Sequence, residues 1–123
     1  MRPPLPCSSS PNCVSSVEGT AQEHFVSPLR YRGTAEEAKA RLLTILNAMS
    51  RTRITTDETR YLHVECTSLV FRFVDDVEFW FHEREPLIHV RSASRMGYSD
   101  FGGNRRRIEH IRTRFYSASI SNM

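Results

Sequence analysis

Apolar residues recur along this chain with two different periods. In residues 34–50, Ala38, Leu42, Ile45, Leu46 and Met49 fall at helical spacing and form one apolar stripe. Thr34 precedes that stripe and Glu37 follows it by three, the spacing of a capping box, so a helix is predicted from Thr34 to about Ser50. Beyond it the period becomes two. Residues 53–56 and 61–67 predict a hairpin around Asp57-Glu58-Thr59, with Leu62, Val64 and Cys66 on one face and Tyr61, His63 and Glu65 on the other. Residues 77–81 and 87–94 predict a second hairpin joined by residues 82–86. Ahead of the first helix, residues 24–31 read as a short extended piece with Phe25, Leu29 and Tyr31 as its apolar points. A second helix is expected from near Ser99 or Asp100, buried along Ile108, Ile111 and Phe115. The order β-α-β-β-β-β-α predicts an α+β fold: a single mainly antiparallel sheet with two helices packed on one face.

Two stretches follow neither period. Residues 1–20 are rich in Pro and Ser and are expected to be an irregular N-terminal segment, ahead of one domain over residues 21–118 and a tail over residues 119–123. A chain of 123 residues suffices for one packed core and not for two. Residues 69–73 are apolar apart from Arg72. The commoner outcome for such a run is a buried connection; the other is an exposed patch that touches lipid or a protein partner.

The second hairpin carries the most information. A turn centred between Arg84 and Glu85 pairs Phe81 with Ile88, Phe79 with Val90, Val77 with Ser92 and Asp75 with Ser94 on one face. On the other it pairs Trp80 with His89, Glu78 with Arg91 and Asp76 with Ala93. A slip of one residue would break both the apolar set and the Glu78–Arg91 charge pair. This register leaves Asp75 at the rim of the apolar face, where a carboxylate needs a cation or several donors.

The charges around that hairpin have two readings. In the structural one, Asp75, Asp76, Glu78 and Asp100 form a charge cluster with Arg91, Arg95 and Arg105 that fixes the second helix to the end of the sheet. In the functional one, Arg91, Ser92, Ser94, Arg95, Asn104 and Arg105 hold a small anionic ligand near the helix start. A third reading, a hydrolase or metal-dependent enzyme, would use Asp76, Glu78 and His89. Adjacent Asp75 and Asp76 point to opposite faces of a strand and cannot work as one dyad. No His-x-His, His-Glu-x-x-His or Ser/His/Asp pattern is present, so no catalytic residue, metal or cofactor is assigned.

The net charge of +3 is small, and the arginines at 105–107, 112 and 114 are expected to form a solvated helix face. No stacking aromatics alternate with them, so a nucleic-acid partner is not indicated. No apolar run reaches transmembrane length and the N-terminus has no apolar signal region, so the sequence as written is expected in the compartment where it is made, the cytoplasm, with a peripheral membrane or protein partner left open. Cys7 and Cys13 stand as free thiols, a disulfide or ligands of a shared metal, three readings the spacing alone leaves open.

Residues 11–16 (PNCVSS), 71–79 (FRFVDDVEF) and 88–95 (IHVRSASR), followed by Gly97-Tyr-Ser-Asp100 and Asn104-Arg-Arg-Arg107, resemble the family catalogued as domain of unknown function 1499. The resemblance runs from about Cys7 to Phe115. It implies no established activity and transfers no catalytic residue. Cys7 and Cys13 match the family's N-terminal pair, which favours a disulfide or shared-ligand role. Gly102-Gly103 departs from the family's Gly followed by an aliphatic residue.

Overall fold

A computed structural model of the chain describes residues 3–7, 11–96 and 102–121. In chain order its elements are β1 (Cys13–Ser15), a short 3-10 turn (Gln22–His24), β2 (Leu29–Arg30), α1 (Ala35–Ala48), β3 (Thr52–Glu58), β4 (Tyr61–Thr67), β5 (Val74–Phe81), β6 (Leu87–Ser94) and α2 (Gly103–Ser121). The six strands form one sheet in the order β1-β6-β5-β4-β3, with β2 also paired to β6, and every strand pair is antiparallel. The expected α+β architecture is present.

Both helices cover one face. Leu42, Ile45 and Leu46 of α1 and Ile108, Ile111 and Phe115 of α2 pack against Leu62, Val64, Val77, Phe79, Ile88 and Val90 of the sheet. The periods of the sequence explain this: period-two strands present one apolar face, and each helix presents one stripe to it. Helix α1 starts with the capping box. Thr34 Oγ1 accepts from the Glu37 N–H at 3.1 Å, and the Thr34 N–H donates to Glu37 Oε1 at 3.0 Å. Gly33 just before it has φ +82°, so this entry to the helix favours glycine.

The β5–β6 hairpin has all seven of the expected pairs, from Asp75 with Ser94 to Phe81 with Ile88. Elsewhere the structure corrects the sequence reading. The N-terminal segment is not wholly irregular, because Cys13–Ser15 forms β1 on Ala93, Ser92 and Arg91 of β6. Residues 24–31 supply only the two-residue β2, which follows β1 along the same edge of β6. The β3–β4 turn is Thr59-Arg60, so Asp57 and Glu58 belong to β3, and a bulge falls between Ile54 and Thr56. Strand β5 starts at Val74, three residues earlier than expected, and takes in Asp75 and Asp76. Residues 69–71 are exposed rather than buried. Helix α2 begins at Gly103 and runs on to Ser121, beyond the expected tail boundary; Ser99 and Asp100 lie outside the described residues.

Candidate functional site

The sheet face away from the helices is polar. Alternation places Tyr61, His63 and Glu65 of β4, Asp76, Glu78 and Trp80 of β5, and His89 and Arg91 of β6 side by side on it. Glu78 is buried, and the Tyr61 hydroxyl donates to its Oε2 at 2.6 Å. Arg91 Nη1 lies 3.5 Å from Glu78 Oε1, the cross-strand pair read from the register. These two partners offset the cost of taking the carboxylate out of water. Arg91 is less well satisfied, since its buried Nε has no hydrogen-bond partner.

Toward the end of the sheet the contacts are shorter. Arg95 donates to Asp76 through Nε and Nη2, both at 2.9 Å, and through Nη2 to Glu65 Oε2 at 2.7 Å. Arg53 Nη2 donates to Glu65 Oε1 at 2.9 Å. His63 Nε2 donates to Asp76 Oδ1 at 2.8 Å, while its Nδ1 meets the Thr55 hydroxyl at the bulge. The Arg95 hydrogen bonds hold the Asp76 carboxyl below its usual range, and those of Arg53 and then Arg95 do the same for Glu65. Arg95 is in turn held above its ordinary value, chiefly by Asp76. Thr56, Glu58, Tyr61, His63, Asp76, Glu78 and Arg91 line an open groove of about 520 Å³ on this face, a size within the range of small-molecule sites.

The helix-facing side holds a separate polar seam. Asp75 Oδ2 accepts from Arg107 Nη1 at 2.7 Å. Arg107 Nη1 also donates to Asn104 Oδ1 at 3.0 Å, and the Ser92 hydroxyl donates to that same oxygen at 2.5 Å. Asn104 Nδ2 donates to the Asn12 carbonyl and to Ser94 Oγ, both at 3.0 Å. Asn104 is fully buried, so the first turn of α2 is tied to the residue before β1 and to β6 through satisfied groups.

The six residues of the expected anion site therefore do not gather in one place. Arg91 and Arg95 meet carboxylates on the open face, whereas Ser92, Ser94 and Asn104 lie in the helix-side seam. Arg105 donates to the carbonyls of Phe25 and Glu23, both at 2.9 Å, and so pins the segment before β2. Arg107, rather than Arg105, neutralises Asp75. Asp100, the remaining member of the charge cluster, lies outside the described residues.

The hydrolase reading loses its histidine: His89 Nδ1 lies 3.0 Å from the Ser16 hydroxyl, and the imidazole that reaches Asp76 is His63. The β3–β4 hairpin sets His63 and Glu65 on one face, but the direct bond of His63 to Asp76 and the link of Glu65 to Asp76 through Arg95 need the β4–β5 register, which the run at residues 69–73 left open. Among the described residues, no three His, Cys, Asp or Glu side chains gather as metal ligands would. Cys7 and Cys13 are joined as a disulfide. It ties residues 3–7 to β1, where the Ser15 hydroxyl donates to the Leu5 carbonyl at 2.9 Å and Pro3 and Pro4 lie beside Trp80 and His89. Among the described residues no helix is long and apolar enough to cross a membrane.

A family described as protein of unknown function (DUF1499) matches residues 5–115. No curated protein and no solved structure matches the chain.

Proposed function

The chain belongs to that family of unknown function, and from this premise we propose that it is a non-catalytic binding module. The charges at the end of the sheet serve as its frame, and the groove on the open face takes a small ligand bearing an anionic group. One observation carries the reading. Arg91 stands in the groove wall with a single loose contact to Glu78 at 3.5 Å, whereas Arg95 is engaged three times over. A guanidinium left short of acceptors in a concave wall is suited to a carboxylate or phosphate, and the Tyr61–Glu78 bond already holds the surrounding wall in place. Thermal-shift measurement against a panel of small carboxylates and phosphates tests this. At least one compound raises the melting temperature of the wild type, and Arg91→Lys, which keeps the charge beside Glu78 but loses the planar fork, abolishes the rise. No shift from any compound, or an equal shift in Arg91→Lys, defeats the reading.

A further inference from the structure

The connection between β4 and β5 presents apolar side chains outward. Residues 68–73 close on themselves: the Ser68 N–H donates to the Phe73 carbonyl and the Phe73 N–H donates to Ser68 Oγ, both at 2.9 Å. Arg72 turns the chain with φ +59°. At the apex Leu69, Val70 and Phe71 are 67%, 76% and 72% exposed, and Phe73 stacks on Phe71 with ring centroids 5.5 Å apart. Met96, also exposed, follows at the same end of the sheet, where the Arg95 N–H donates to the Val74 carbonyl. Contiguous exposed apolar side chains on a loop closed by its own hydrogen bonds mark a contact surface.

The base of this tip is basic. Arg51, Arg53 and Arg72 stand around a concavity of about 330 Å³ that also includes Thr52, Glu65 and Thr67. Among the described residues the one carboxylate there, Glu65, is already shared by Arg53 and Arg95, so their surplus charge is positive. Arg53 is 76% exposed and Arg72 is exposed. An apolar apex with guanidinium groups one step behind it matches the layering of a lipid surface, with acyl chains inside and phosphates outside.

We propose that the 68–73 tip docks on a bilayer that contains anionic lipid, with Leu69, Val70, Phe71 and Phe73 entering the acyl boundary while Arg51, Arg53 and Arg72 meet the headgroup phosphates. The layering argues for lipid over protein. The apolar apex of Leu69, Val70, Phe71 and Phe73 is backed by Arg51, Arg53 and Arg72, the apolar-then-cationic order of an anionic bilayer boundary. This inference is independent of the groove on the open face.

Cosedimentation of the full chain with vesicles tests it, using phosphatidylcholine mixed with phosphatidylserine and phosphatidylcholine alone. The wild type pellets with the mixed vesicles and far less with phosphatidylcholine. Phe71→Asp weakens binding about tenfold or more, because an apolar side chain no longer enters the acyl region. Arg72→Gln weakens it about fivefold, the share of one cation near an anionic surface. Both side chains are exposed, so melting temperatures stay unchanged and report intact folding. Wild type that fails to pellet with mixed vesicles, or that pellets no better than Phe71→Asp, overturns the proposal. So does a wild-type dimer in sedimentation velocity that Phe71→Asp dissolves while neither binds vesicles, an outcome that assigns the tip to self-association.

Discussion

Asp75 and Arg107 meet at 2.7 Å in the seam between the sheet and α2, with side chains only 14% and 19% exposed. The residue next to Asp75 on β5 does the opposite: Asp76 turns to the other face and is held by Arg95. Two adjacent acids thus fasten two different parts of the molecule, and the alternation of a strand is the reason.

Removing one member of this partly buried pair leaves the other without compensation. Asp75→Ala is expected to lower unfolding stability by more than about 2 kcal/mol, and Arg107→Ala by a similar amount. The double variant is expected to lose less than the sum of the two, since the pair is broken only once. Urea unfolding of the four proteins checks this, and a neutral Asp75→Ala would remove the seam from the account of how α2 is held.

Stability is expected to fall with acid in two stages. His89 is held below its ordinary 6.5, first by burial and second by the charge of His82 beside it. The folded state therefore prefers neutral His89, so its contribution is complete above pH 6.5 and is lost as the pH falls from there through the folded value. Asp76 is held below its ordinary 3.8, chiefly by the hydrogen bonds from Arg95, so its contribution persists to lower pH and is lost as the pH falls through its own folded value. The denaturation midpoint should decline below pH 6.5 in the wild type, and His89→Gln should remove that first decline while leaving the second. A wild-type midpoint that stays flat through the first window contradicts the assignment.

The three thiols should separate by reactivity. Cys66 is 5% exposed, and burial pushes its thiol up from the ordinary value, which disfavours the reactive thiolate. Cys7 and Cys13 are paired. An aromatic disulfide reagent should therefore find no thiol in the native protein, one after unfolding without reductant and three after reduction. Three thiols in the unfolded, unreduced protein would mean that the pair is open. The Cys7→Ser variant should be less stable by about 2 kcal/mol, as expected for a short closed loop.

Much of this molecule is local and was legible in the sequence. Thr34 and Glu37 are three residues apart, and their capping box needs nothing else. The β5–β6 register follows because only one alignment places Phe79 beside Val90 and Glu78 beside Arg91. What the tertiary structure alone decided depends on partners far away along the chain. Strand β1 is three residues long and exists because β6, some eighty residues on, offers an edge. Arg105 and Arg107 are near neighbours on one helix, yet one reaches the carbonyls before β2 and the other reaches Asp75, a choice set by how α2 lies on the sheet. The composition of residues 69–71 suited burial, but they lie in the connection beyond the last β4–β5 pair, Thr67 with Val74, and are exposed there.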